Sequence, residues 1–413
     1  MLSVSEALNR LLANFSPVEM DLVPLREAAG RVISEEIRSD IDLPLFTNSS
    51  MDGFALRSQD INGASSENPM TLSVIEDIPA GKKPTLKITK NQVSRIMTGA
   101  PLPNGADAVI PIEDTDQFDL HSRGEVSLPE RIQVYRSLKS GDYVRKRGED
   151  VATGEIVLKQ KSKLRPQDLG LLAMLGKSEI PVYKIPRVVI LSTGDELVPI
   201  EEPLQFGKIH DSNAYTLSAM IYRDGGLPVY LGIVPDQEEA VRNILELAVE
   251  NKADLILSSA GVSVGAFDFV RSVVSEGGNL DFWKVNMRPG KPLAFGDFHG
   301  VPIVGLPGNP VSAFVGYEVF VRPAIIRLAG MEDMPRKKIG VKIIGDINSD
   351  GRESYLRAIV TEENGIRTAR LTGHQGSGNL LSLVQANSLL IIPPGVRFLP
   401  SGSEVDAWML DSG

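Results

Sequence analysis

Trp283-Lys-Val-Asn-Met-Arg288-Pro-Gly-Lys291-Pro, followed after two short apolar runs by Leu306-Pro-Gly-Asn309-Pro-Val-Ser312, is the stretch whose reading decides the fold. Three cations, Lys284, Arg288 and Lys291, fall within eight positions, the last two in a Pro/Gly frame that restrains the backbone. Val301-Pro-Ile-Val-Gly-Leu306 has the length and apolar character of a buried strand. Pro307-Gly-Asn309-Pro310 then turns the chain into a helix, with Asn309 able to cap it and Pro310 suited to its first position. A strand, a glycine turn and a helix start leave backbone N–H groups aimed at an anion. Fixed cations beside that turn point to an anionic ligand. Each half alone also reads as an ordinary strand-to-helix turn with surface cations.

Outward from this stretch, residues 177–330 alternate between strand and helix. Strands are expected at Val188–Ser192, Val229–Ile233, Asp254–Ser258, 281–285, 293–298 and 301–306. Helices are expected over 212–224, from Asp236 with Glu239 at its third position, over Phe267–Ser275, and from Pro310 to a kink at Pro323. Such alternation predicts a parallel sheet covered on both faces. Ligands of such sheets sit beyond the carboxyl ends of the strands, and four polar or glycine-rich turns fall there: 192–196, 259–265, 286–291 and 307–312. Before this region, residues 3–14 read as a helix with a Ser3/Glu6 capping box, and 24–37 as a second helix. Asp150–Leu158 and Arg165–Leu175 read as mixed, partly helical segments. Between them, 45–144 carries only short β-like runs (Thr71–Ile75, Val93–Met97, Ala108–Ile112, Arg131–Tyr135) separated by Gly, Pro and Asn turns. After residue 331 the chain is β again, with Glu363-Asn-Gly365 as a hairpin turn. The expectation is a multidomain α/β and β protein. It comprises a discontinuous mixed domain (1–44 plus 145–176), an inserted β domain (45–144), a central doubly wound α/β domain (177–330) and a β-barrel-like C-terminal domain (331–413).

At 413 residues the chain exceeds what one core organises. It has no cysteine, so disulfides, thiolate metal sites and a cysteine nucleophile are excluded. Its four histidines are scattered, which disfavours a histidine-built zinc site and leaves Mg²⁺ on carboxylates and phosphate as the better expectation. A net charge of −10 argues against non-specific nucleic-acid binding and makes a cation cluster more telling. No apolar run approaches the ~20 residues of a membrane span. The N-terminus lacks a signal-peptide pattern, so a cytoplasmic protein is expected. The glycine loops match neither a Walker A nor a Rossmann fingerprint, and no Gly-x-Ser-x-Gly elbow follows a strand.

Two further groups could act with the cations. Carboxylates in tight turns (Asp52, Asp150, Asp195, Glu196, Asp211, Asp236, Asp268) could hold a divalent ion beside phosphate, although Asp211, Asp236 and Asp268 also read as helix caps. Thr98, Ser263, Ser312 and Ser377 could donate hydrogen bonds, or serve only as turn residues.

The motifs Ser49-Ser-Met-Asp-Gly-Phe-Ala, Arg95-Ile-Met-Thr-Gly-Ala-Pro-Leu-Pro, Arg147-Gly-Glu-Asp, Ser192-Thr-Gly-Asp-Glu-Leu, Gly261-Val-Ser-Val-Gly, Phe282-Trp-Lys with Arg288-Pro-Gly-Lys-Pro, Leu306-Pro-Gly-Asn-Pro-Val-Ser-Ala and Thr372-Gly-His-Gln-Gly-Ser occur in order along the whole chain. Together they resemble the MoeA family, the molybdopterin molybdenumtransferases related to the E domain of gephyrin. The resemblance implies an L-shaped homodimer of four-domain subunits with a MogA-like central domain. It also implies insertion of molybdate into adenylylated molybdopterin with release of AMP, assisted by Mg²⁺ or a similar divalent ion, and pathway partners that handle molybdopterin. Family positions fall on Asp52, Thr98, Asp150, Glu196, Asp236 and Asp268 as catalytic residues. Ser263, Lys284, Arg288, Lys291, Pro307, Asn309, Pro310, Arg357 and Ser377 are expected to face substrate or oxyanion, and Glu196, Asp236 and Asp268 the metal. Asp52, Thr98 and Asp150 would act on the site of the second subunit. Two residues depart from the family pattern: Arg288 stands where a lysine is usual, and Ala260 where a glycine is. The alternatives are a non-catalytic scaffold of the gephyrin E type and a molybdopterin adenylyltransferase, whose fold would lack the flanking regions present here.

Overall fold

The computed structural model describes residues 1–119, 127–259, 266–332 and 335–410, with the side chains of 266–268 outside the description. Two compact units divide the chain: one comprises Met1–Glu35, Gln160–Gly170 and Ser178–Gly413, the other Glu36–Lys159 and Leu171–Lys177. The first unit opens with helix α1 (Val4–Leu12), where the capping box forms: Ser3 Oγ accepts the Glu6 N–H and Glu6 Oε2 accepts the Ser3 N–H. Val4, Ala7 and Leu11 bury its apolar stripe. The expected helix over 24–37 is not formed. Met20–Pro24 is strand β1, Leu25–Glu27 a single 3₁₀ turn, and Val32 and Ile33 make β-bridges to Lys163 and Val182. Gly30, at φ +72°, breaks the helical path, and the buried β-branched pair that followed it fits an extended edge instead.

The second unit is built on a five-stranded sheet. Strands β2 (Gly53–Leu56), β3 (Met70–Ile78), β4 (Gln92–Ile96), β5 (Ala108–Pro111) and β6 (Arg131–Val134) lie in the order β5-β2-β4-β3-β6. The four expected runs are strands, but β2, lying between β4 and β5, was read only as a tight turn around Asp52. Gly53 makes it possible: a Cβ there would lie 2.0 Å from the Ile110 carbonyl oxygen, so only glycine lets β2 sit against β5. Asp150–Leu158 is extended rather than partly helical, with Val151 bridged to Leu43 and Ile156–Leu158 paired with Ile37–Arg38. Helix α2 (Pro166–Met174) follows.

The α/β core begins after β7 (Glu179–Tyr183), the antiparallel partner of β1. Its elements are β8 (Arg187–Thr193), the short strands β9 (Leu197–Val198) and β10 (Ile209–His210), α3 (Ser212–Arg223), β11 (Leu227–Val234), α4 (Glu238–Glu250), β12 (Leu255–Ser258), α5 (Ala266–Gly277), β13 (Gly278–Lys284), β14 (Met287–Arg288), β15 (Pro292–Phe298), β16 (Val301–Gly305), α6 (Pro310–Gly316) and α7 (Arg322–Leu328). The sheet order is β11-β8-β12-β16-β15-β13. Alternate residues of β8 feed opposite layers: Val188 and Ile190 pack with Leu217 and Ile221 of α3, while Val189 and Leu191 pack with Val241 and Leu245 of α4. The sheet is mixed, not parallel throughout. β11, β8, β12 and β16 run parallel; β15 runs against them, and β13, antiparallel to β15, runs with them again. No helix separates β13, β15 and β16, so a crossover is impossible; His299-Gly300, both at positive φ, close the β15–β16 hairpin in two residues. The irregularity expected at Pro323 is a π-helical turn over Tyr317–Val321, between α6 and α7. The wider turn precedes a residue that cannot donate the next backbone bond.

The last strands are β17 (Lys338–Ile343), β18 (Glu353–Glu363), β19 (Ile366–Leu371), β20 (Ser388–Ile392) and β21 (Glu404–Met409). They pair in the order β18-β19-β17-β21-β20, and β20 returns to β18, closing a five-stranded barrel. Asn364-Gly365 turns β18 into β19 with both residues at positive φ. β14 adds in parallel to β18, setting Arg288 opposite Ser354.

Candidate functional site

A cavity of about 420 Å³ lies at the carboxyl ends of β8, β12 and β16. Thr193 and Glu196 line it from the turn after β8, Ser259 from the turn after β12, and Pro307, Gly308, Asn309 and Pro310 from the turn after β16. Gly290 and Pro292, which flank Lys291, complete this wall. The turn after β16 is held by Asn213 of α3, whose Nδ2 donates to the Gly308 carbonyl at 2.8 Å. Asp211 caps α3 through the Ala214 N–H and accepts from the Tyr230 hydroxyl at 3.1 Å, so the cap reading holds there.

The expected anion cradle at α6 differs from its sequence reading. Asn309 occupies the cap position, but its side chain makes no capping bond. Pro310 has no N–H, and the Val311 N–H donates to the Ser377 carbonyl at 3.0 Å. The glycine loop at 373–378 thus consumes a donor that the sequence left free for an anion. Arg357 organises that loop from beneath. It is almost fully buried, with Nε donating to Ser382 Oγ at 3.0 Å and Nη2 to the carbonyls of Gly376 and His374. Burial, and secondarily the charge of Arg288, pulls its pKa down to about 10.

The three cations are held by backbone pairing. The Val285 N–H donates to the Lys291 carbonyl at 2.8 Å, and Leu2 brackets the stretch by donating to the Lys284 carbonyl and accepting from the Asn286 N–H. Both lysines are exposed, and neither has an ion-pair partner among the described residues. Arg288 has one: its Nη1 lies 3.9 Å from Asp350 Oδ2. Asp350 is itself gripped by Arg352, whose hydrogen bond keeps the Asp350 carboxyl below its ordinary range. Arg352 also donates to the Met287 carbonyl at 3.1 Å, tying this pair to β14.

Opposite charge gathers on the turn after β8. Asp236 does not cap α4, as its sequence position had indicated: the helix starts two residues later with Gln237 at the cap. Instead its N–H donates to Asp195 Oδ1 at 3.3 Å, while its own Oδ1 is buried with no partner. Burial, then repulsion by Asp195 and Glu196, raises the Asp236 pKa. Among the described residues no three acidic or histidine side chains are grouped to hold a metal. Of the expected trio, Asp268 lies in α5 but its side chain is outside the described residues, as is all of Ser263. Asp236 Oδ1 is thus one unpartnered oxygen with Asp195 and Glu196 as charged neighbours, the kind of single ligand a hard divalent cation takes.

In the second unit, Asp52 and Thr98 meet directly. Asp52 Oδ1 accepts from the Thr98 N–H at 2.7 Å and from its hydroxyl at 2.8 Å, knitting the turn after β4 to the start of β2. Asp150 has other partners: it pairs with Arg145, and its N–H donates to the Leu43 carbonyl.

The three segments of the chain match known regions. Residues 2–176 match the MoeA N-terminal region (domain I and II), 189–327 the probable molybdopterin binding domain, and 343–410 the MoeA C-terminal region (domain IV). The chain is 39% identical over 396 residues to the molybdopterin molybdenumtransferase 2 of Mycobacterium tuberculosis, covering 94% of each protein. This chain belongs to the MoeA family. It is also 35% identical over 397 residues to the molybdopterin molybdenumtransferase of Nostoc sp., covering 94% of this chain and 88% of that one. The crystal structure of the molybdopterin biosynthesis moeA protein from Pyrococcus horikoshii OT3 superposes with a TM-score of 0.80 at 33% identity, covering 99% of this chain and 100% of that one.

Within this MoeA chain, sequence reasoning missed several residues that shape the site. Asp195 was noted only as a turn carboxylate, yet it holds Asp236. Asn213, Asp350, Arg352 and Ser382 carried no local signal, because each acts on a residue distant in sequence. The Ala260 departure lies outside the described residues.

Proposed function

We propose that this chain transfers molybdenum from molybdate to adenylylated molybdopterin, forming molybdenum cofactor and releasing AMP. The observation that supports it most is that, in a MoeA-family chain, Gly290 and Pro292, which flank Lys291 in the cation run, share one cavity wall with Glu196 from the acidic turn after β8. The adenylylated substrate carries two phosphates joined in a phosphoanhydride, and molybdate arrives beside it as an oxyanion. Lys284, Arg288 and Lys291 would offset that charge and orient the oxyanion, which is catalysis by positioning and electrostatics. Pro307 to Pro310 would shape the wall against which the substrate lies, with Arg357 keeping the Ser377 loop seated. Mg²⁺ or a similar cation would be held by Glu196 after β8, Asp236 after β11 and Asp268 of α5; bound there it would supply Lewis-acid polarisation of the phosphoanhydride.

Asp52, Thr98 and Asp150 belong in this reading to a site completed between two copies of the chain in a homodimer. Mixing Asp52→Ala and Lys291→Ala chains, each inactive alone, should restore part of the activity; no rescue on mixing removes the shared site. The reaction itself is tested by adding molybdate and Mg²⁺ to the protein with adenylylated molybdopterin and following AMP. Release that does not depend on molybdate would overturn the transferase reading.

A further inference from the structure

Between β9 and β10 the chain leaves the cavity wall as a flap, 199–208. Both of its ends belong to the wall: Glu196 and Leu197 on the way out, Ile209 and His210 on the way back, all line the cavity. The two strands pair in parallel at Leu197–Ile209 and Val198–His210. The flap is braced as well. His210 Nε2 hydrogen-bonds the Glu202 carbonyl, and Lys208 Nζ donates to the Asp195 carbonyl. Its tip is the turn Gln205-Phe206-Gly207-Lys208, closed by the Lys208 N–H on the Gln205 carbonyl at 3.1 Å, with Gly207 at φ +84°.

Against this bracing, the apolar side chains of the flap are unburied. Phe206 is fully exposed, and Ile200, Leu204 and Ile209 are each about half exposed or more. A turn this well braced would ordinarily carry polar residues, and an exposed aromatic ring at a binding edge is the usual form of a stacking anchor. Phe206 is three residues from Ile209, so its Cα lies within about 11 Å of a cavity-lining Cα. We propose that Phe206 is a substrate-binding residue: its ring covers the flat heteroaromatic ring of the ligand in the cavity, and the flap shields that ring from water. The inference rests on the reading above, which supplies a ligand with two such rings, pterin and adenine. A cavity walled by Thr193, Glu196, Asp211 and Ser259 offers polar edges for ring heteroatoms, with the His210 imidazole as its one aromatic ring among the lining residues. Phe206, on the same flap, adds a larger apolar face.

The test uses the full chain. Phe206→Ala, Phe206→Leu and Phe206→Trp are compared with wild type for molybdate-dependent AMP release, and for binding of AMP and of 6-hydroxymethylpterin by calorimetry in separate arms. The expected result is a roughly ten-fold rise in KM for adenylylated molybdopterin in the Ala and Leu variants, the equivalent of about 1.4 kcal/mol, with kcat little changed and Trp close to wild type. Weakened AMP binding assigns the ring as adenine, and weakened pterin binding as pterin. An unchanged KM in Phe206→Ala overturns the inference. So does a shift of Phe206→Ala to a smaller species in sedimentation, since the ring would then cover a subunit contact. A wild-type protein that binds a ring through Phe206 but shows no molybdate-dependent AMP release would retire the transferase reading and leave the flap assignment standing.

Discussion

Replacing Asp236 by asparagine should make the protein more stable while stopping its turnover. The carboxylate has one oxygen buried without a partner, and its pKa is raised by burial and by Asp195 and Glu196. An unsatisfied buried polar atom costs about 1–3 kcal/mol; Asp236 is only half-buried, so the low end, about 1 kcal/mol, is expected back. Asparagine keeps the shape, removes the repelled charge and turns one oxygen into a donor facing two carboxylates. The sign with pH follows from the raised pKa. In the folded state the acid holds its proton to higher pH than in the unfolded chain, so the penalty is fully present above the folded value. It shrinks as pH falls and vanishes below the unfolded value of about 3.9. Urea unfolding of wild type and Asp236→Asn, followed between pH 8 and pH 4, should therefore show a gain that fades on acidification. Mg²⁺ should stabilise wild type and leave the variant unmoved. A variant less stable than wild type at pH 8, or a gain independent of pH, would refute the account of Asp236 as a strained, cation-seeking carboxylate.

Other perturbations reach the frame around the site. Glu318, fully buried in the π-helical turn, accepts from Arg336 at 2.7 and 2.8 Å and from Arg223 at 2.9 Å; Glu318→Gln removes that carboxylate charge from Arg336 and leaves Arg223 with Asp224, and should cost about 3 kcal/mol, read by chemical denaturation. Gly53→Ala places a Cβ 2.0 Å from a backbone oxygen, so β2 must separate from β5, and thermal unfolding should show the second unit lost several degrees earlier with the α/β core intact. Arg288→Lys keeps the charge but loses the forked guanidinium; KM for molybdate should shift while stability does not, and equal steady-state constants would show that the guanidinium has no special role. Lys284→Ala should raise KM for molybdate at least ten-fold, with a shallower salt dependence than wild type.

Local chemistry was legible wherever neighbours in sequence are neighbours in space. The Ser3/Glu6 box, the Asn364-Gly365 hairpin, the alternation of 177–330 and the cation run could all be read directly, since caps, turns and periodicity act within a few residues. The same local logic erred at 24–37, where helical spacing concealed an extended edge, and at β2, where Gly53 looked like a turn because its need, close approach to Ile110, lies far along the chain. Tertiary structure alone decided the reversed direction of β15, the closing of the barrel by β20 on β18, and the loss of the Val311 donor to Ser377. It also decided the state of Asp236, which is a cap by spacing but an unpartnered acid once folding brings Asp195 and Glu196 beside it. Sequence names which charges are available; only folding sets their distances, and electrostatic and hydrogen-bond energies depend on distance and burial.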